Sequence, residues 1–130
     1  VSTNAERGAA AVEMALLLPV LILLLLGIME FGRAFGAQVT LTSAGRESVR
    51  VMAISKDELQ AKNSAVAAAS TLRPALTASN VAIAVPGATS GDRCPAGSTA
   101  TVTITYSLST LTNIAGPFSM TGRAVMLCGG

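Results

Sequence analysis

Hydrophobic and polar positions change their rhythm along this chain, and each change predicts a different element. Residues 14–29 form a run of 16 positions without a charge. At about 1.5 Å per residue, a helix over this run covers roughly 24 Å. Including residues 9–12 brings it close to the roughly 30 Å of a hydrocarbon core. That extension carries Glu13 into the helix, where a carboxylate is expensive unless something uses it. Two readings of the run stand, a retained anchor and the apolar region of a removed signal peptide. In a signal peptide the small-residue cleavage site follows the apolar stretch. Here Gly8-Ala9 precedes it, and Gly27-Ile28-Met29-Glu30 is a poor site because a bulky residue and a charge intrude. The flanks therefore favour an anchor. Pro19 lies inside the run and frees the Ala15 carbonyl, which membrane helices tolerate.

The helical pattern continues past the apolar run. Residues 30–54 contain no proline, and Leu41, Ala44, Ser48 and Met52 recur at helical spacing in a narrow stripe. Glu47 is placed to reach Arg50 three residues on. Gly36 and Gly45 are points where such a stem can bend. Gly32 and Gly36 make a GxxxG spacing, read either as a close helix-packing face or as two chance glycines near a membrane exit. Ser55 followed by Glu58 reads as a capping box and predicts a second helix over 56–73. Leu59, Ala65, Val66, Ala69, Leu72 and Leu76 would give it an apolar face, with Pro74 helping to end it.

Beyond residue 80 the period falls from about 3.6 to 2. Val81, Ile83 and Val85 alternate with alanines, and Pro86-Gly87 closes that strand. Val102, Ile104, Tyr106 and Leu108 alternate with Thr101, Thr103, Thr105 and Ser107, the clearest strand pattern in the chain. Residues 120–128 read as a third strand, with Met120, Ala124 and Met126 toward a helix. The predicted fold class is α+β: a long N-terminal transmembrane helix, then a small helix on a three-stranded antiparallel sheet.

Composition narrows the chemistry. Charged residues make up 12% of the chain, well below the usual quarter, and there is one Tyr, no Trp and no His. A large aromatic core is excluded, and so are the commonest general base and metal ligand. Ser55-Lys56 and Asp57-Glu58 are adjacent, but helix capping accounts for them. No nucleophile–base–orienter set, phosphate loop or metal constellation can be named, so neither catalysis nor a cofactor is expected. A net charge of +2 without a basic run or aromatic platform gives no basis for nucleic-acid binding. The two cysteines, Cys94 and Cys128, cannot complete a zinc site. They read either as a disulfide or as two buried thiols. A disulfide would stabilise by roughly 3.5–4 kcal/mol in the chain-entropy model and would imply an oxidising compartment. That would place the small domain outside the cytoplasm and the N-terminus inside. Arginine counting does not settle the orientation, because Arg33, Arg46 and Arg50 all follow the span.

Residues Arg7 to Leu16, then Leu18-Pro19, then Gly27 to Arg33 closely resemble the TadE-like proteins of tight-adherence (Tad, or Flp-type) pilus systems. Residues 44–50 resemble a stem segment of that family. Met14 stands where an aromatic residue is common. The resemblance implies cleavage by a prepilin peptidase between Gly8 and Ala9. It divides the chain into a leader at 1–8, a transmembrane helix at 9–35, a helical stem at 36–54 and a small extracytoplasmic domain at 55–130. Glu13 would become the fifth mature residue and meet the N-terminal ammonium of a neighbouring subunit. Two buried opposite charges offset each other's desolvation, whereas either alone is costly. The other reading of Glu13 is snorkelling to the cytoplasmic interface.

The implied function is a minor pilin or pseudopilin that assists assembly of a Tad-type pilus at the bacterial cytoplasmic membrane. Its implied partners are the membrane, a prepilin peptidase, other Tad pilins and inner-membrane platform proteins, in a hetero-oligomer. The alternative is an uncleaved, membrane-anchored adhesin or receptor subunit. Its contact surface would be the Ser/Thr-rich loops at 86–99 and 109–121.

Overall fold

The computed structural model describes residues 3–129. Val1 and Ser2 of the expected leader, and Gly130 of the expected small domain, lie outside the described residues. The elements are α1 (Thr3–Ser55), α2 (Glu58–Ala68), a 3-10 turn (Ala78–Asn80), β1 (Val81–Ala84), β2 (Thr99–Leu108) and β3 (Phe118–Leu127). This is the expected α+β class. The chain divides into two compact units, Val1–Arg33 and Ala34–Gly130, and α1 contributes to both.

Between Met14 and Met29 of the first unit α1 is apolar on every side. An 18-residue window reaches a mean hydropathy of 2.7 with none of it buried. Leu16, Ile28 and Phe31 are 70%, 68% and 75% exposed. A helix apolar all round needs an apolar surrounding, and by length and composition this one can cross a membrane.

The second unit builds its core on the stripe of α1. Ala37, Leu41, Ala44, Ser48, Val49 and Met52 are all buried. The spacing of three and four residues keeps them on one face. α2 packs with alanines, Ala61 and Ala65 being fully buried. Small side chains let backbones approach, and here the buried Ser48 hydroxyl donates to the Ala61 carbonyl at 2.8 Å.

The sheet is antiparallel in the order β1-β2-β3. Ala100, Val102, Ile104, Tyr106 and Leu108 of β2 are buried, as the alternation predicts. Val81 of β1 and Ala124 of β3 join them. Tyr106, the single tyrosine, donates its hydroxyl to the Pro74 carbonyl at 2.6 Å and ties the connection after α2 to the sheet.

Four local expectations are corrected. α2 covers Glu58–Ala68, not 56–73. Its N-cap is Asp57, whose carboxylate accepts from the Leu59 and Gln60 amides at 3.0 and 3.1 Å. Ser55 is still the last residue of α1, its hydroxyl donating to Val51. Glu58 does not reach back; it pairs with Lys62 at 3.0 Å. The cause is Lys56, which takes a left-handed φ of 57° and ends α1 one residue before the cap. The apolar face is also shorter: Leu59 is 65% exposed, while Leu72 and Leu76 are buried outside the helix. Finally, Met126 of β3 is 40% exposed rather than packed inward.

Candidate functional site

The sequence-predicted residues fall into two groups, one in each unit. In the first unit Gly8, Ala9 and Glu13 lie on α1, and all three are exposed. Ala9 and Glu13 are four residues apart, so they share one helix face about one turn, roughly 6 Å, apart along the axis. A charge at Ala9 and a charge at Glu13 would therefore sit on the same side of the helix. Glu30 and Arg33 form an i,i+3 ion pair at 3.5 Å. Gly32 is exposed, with open space where a Cβ would be, and the same holds for Gly36 in the second unit.

In the second unit Cys94 and Cys128 are joined by a disulfide with a Cα–Cα distance of 5.4 Å, and both are buried. The loop leading to Cys94 is held from the other side. Asp92 accepts from Lys56 Nζ and from the Cys94 amide, both at 3.1 Å. The hydrogen bond from the Lys56 ammonium holds the Asp92 carboxyl below its ordinary value; desolvation opposes it, and the Cys94 amide adds a smaller push in the same direction as Lys56. Lys56 thus ends α1 with its backbone and anchors the disulfide loop with its side chain.

A third feature was missed by the sequence reading. A groove of about 580 Å³ lies between residues 42–50 of α1 and residues 123–126 of β3. It is lined by the arginines Arg46, Arg50 and Arg123, with Glu47 among them. Arg46 and Arg50 are four apart on one helix face. Among the described residues none of these three arginines is in an ion pair, and Glu47 does not pair with Arg50. The i,i+4 arginine spacing was visible in the sequence. That Arg123 joins them depends on where β3 lies against α1.

Among the described residues no group of three or more His, Cys, Asp or Glu is placed to hold a metal ion. What the described residues present is an apolar helix that carries Glu13 just ahead of its uncharged run, and a small disulfide-closed domain with a basic groove. No curated protein and no solved structure gives a match to the chain. Residues 8–50, from the small residue ahead of the apolar run to the arginine that lines the groove, match the model of the TadE-like protein family.

Proposed function

We propose that the protein is a minor pilin or pseudopilin of a Tad-type pilus, with a structural rather than a catalytic role. The observation that carries this reading is the TadE-like match over residues 8–50, laid on a helix whose apolar window is wholly unburied. The match and the membrane-length helix support a pilin-type role and a single-pass membrane protein.

A prepilin peptidase cuts between Gly8 and Ala9, and Ala9 becomes the amino terminus. Residues 9–35 then form the membrane anchor, 36–54 the stem and 55–130 the extracytoplasmic domain. Glu13 neutralises the terminal ammonium of an adjacent subunit, a pairing that sets register more than it adds stability. Gly32 and Gly36, open at their Cα positions, are where a neighbouring helix approaches closely. The disulfide supports an oxidising compartment for the small domain, hence the N-terminus in the cytoplasm. The partners are other Tad pilins and inner-membrane platform proteins, in a hetero-oligomer.

The test is the amino terminus of the protein recovered from membranes of cells that carry the peptidase. A chain beginning at Ala9 supports the reading. Retention of the residues ahead of Ala9 removes it in favour of a permanently anchored adhesin or receptor subunit. In parallel, Glu13→Gln should insert into the membrane normally and fail to assemble. Normal assembly of that variant would rule out the pairing role.

A further inference from the structure

The open edge of β3 combines two kinds of binding capacity that one occupant can satisfy. The Cys128 amide donates to the Ser98 carbonyl opposite it at 2.8 Å. In an antiparallel ladder, hydrogen-bonded and non-hydrogen-bonded residue pairs alternate. Counting by two from Cys128, Met126, Ala124 and Gly122 of β3 are the residues bonded to β2. Leu127, Val125, Arg123 and Thr121 alternate with them, so their backbone N–H and C=O groups turn away from β2 toward the open edge. A separate observation agrees: the Gln38 side-chain amide donates to the Thr121 carbonyl at 3.0 Å, from outside the ladder. β3 ends the sheet order, and among the described residues no strand covers it.

The basic groove runs along this edge at Arg123 and Val125. Beyond the Thr121 carbonyl, which Gln38 occupies, the edge-facing backbone groups of Arg123, Val125 and Leu127 therefore stand in a row beside Arg46, Arg50 and Arg123. A helix cannot use the row, because its own backbone groups are already paired. A polyanion without a peptide backbone would use only the charge. An extended peptide uses both: it adds as a strand about 4.8 Å away, with alternate side chains about 6.8 Å apart on one face. Carboxylates on the α1 side of such a strand would meet Arg46 and Arg50, and those at the intervening positions would meet Arg123, which alternates with the α1-facing Ala124. A second copy presenting its own β3 would bring arginines against arginines, and such edge charges oppose self-pairing.

We propose that the β3 edge groove binds an extended acidic segment of another polypeptide by strand addition, its carboxylates received by Arg46, Arg50 and Arg123. The inference needs only the second unit and stands apart from the pilin reading.

The experiment uses the full chain in detergent and a short fluorescent peptide of repeated Glu-Glu-Thr-Thr, which puts carboxylates on both faces of an added strand, followed by anisotropy. Saturable binding is expected, weakened at least about tenfold in Arg50→Glu and in Arg123→Glu. Val125→Pro should weaken it similarly, because the N–H it removes faces the edge and not β2. Circular dichroism and an intact Cys94–Cys128 bond establish that each variant is folded. If a variant does not fold, the decisive comparison is made on the unmodified protein. There, the same peptide N-methylated at alternate residues should lose binding while keeping its charge. The proposal is overturned if the methylated peptide, a Lys-Lys-Thr-Thr peptide or a heparin oligosaccharide binds equally well. It is overturned too if the Glu-Glu-Thr-Thr peptide does not bind, or if the edge is occupied by a second copy of the chain.

Discussion

Gly122 of β3 lies directly against the backbone of Leu41 in α1. A Cβ at Gly122 would stand 2.8 Å from the Leu41 carbonyl oxygen and 3.0 Å from its Cβ. The obstacle is backbone, which cannot rotate away, so Gly122→Ala must push helix and sheet apart. We expect a loss of about 1–3 kcal/mol, read by urea unfolding of the full chain in detergent. Gly45 makes the contrast. A Cβ there would meet Ala124 Cβ at 3.5 Å, an ordinary contact, and alanine is the better helix former by about 1 kcal/mol. Gly45→Ala should be neutral or stabilising. Equal losses at both positions would show that the close approach at Gly122 does not matter.

The Ser48 hydroxyl is fully buried and bonds the Ala61 carbonyl, which also accepts from Ser64 at 2.7 Å. Ser48→Ala leaves that carbonyl partnered, so the loss should be only about 1 kcal/mol, that of one net hydrogen bond. Ser48→Leu has no room between the helices and should cost more. A Leu variant as stable as the Ala variant would contradict a close crossing at this point.

Reduction of the disulfide should be felt by the whole second unit. Cys94 and Cys128 are separated by 34 positions, and release of that loop should cost about 3.8 kcal/mol in the chain-entropy model. Thermal melts with and without reductant, and of a Cys94→Ser/Cys128→Ser double variant, should agree. An unchanged melting temperature would remove the disulfide as a main source of stability.

Lys56 and Asp92 give a dependence on pH. The Asp92 carboxyl lies below its ordinary value in the fold. The unfolded chain therefore binds its proton first as pH falls. The contribution is present in full above the ordinary carboxylate range and is lost as pH falls through the depressed value. It should be small, because both side chains are more than 40% exposed. Asp92→Asn should flatten the acid limb of the stability curve by that amount; an unaltered limb would assign the acid sensitivity elsewhere.

The backbone of Lys56 offers a separate measurement. Its φ of 57° is costly for any residue with a Cβ. Lys56→Gly and Lys56→Ala both lose the ion pair, but only glycine relieves the backbone. The glycine variant should be the more stable by about 1 kcal/mol. Equal stability would mean that the left-handed turn carries no cost.

Much of the fold was legible because it rests on local periodicity. The run at 14–29, the α1 stripe at Leu41, Ala44, Ser48 and Met52, and the alternation of β2 all appear where they were expected. Each pattern shows which face is apolar, and burial follows wherever a partner covers that face. The start of α2 was misread because Ser55 and Asp57 are both good caps by type. Only the left-handed turn at Lys56, a property of the folded backbone, gives the role to Asp57.

What the sequence by itself determined is the class of molecule: an apolar helix with Glu13 at the head of its uncharged run, then a small α+β unit with two cysteines to close it. These follow from composition and period, which act within a few residues of each position. Tertiary structure decided what depends on distant segments meeting. Met126 shares the inward parity of Ala124 yet stays exposed, because parity selects a face of the sheet and not whether anything covers it. In the same way, Arg123 joins Arg46 and Arg50 in one groove because the closeness of Gly122 and Gly45 to their partners seats β3 against α1. No local pattern carries that information, since contacts between strand and helix are set by packing across the core.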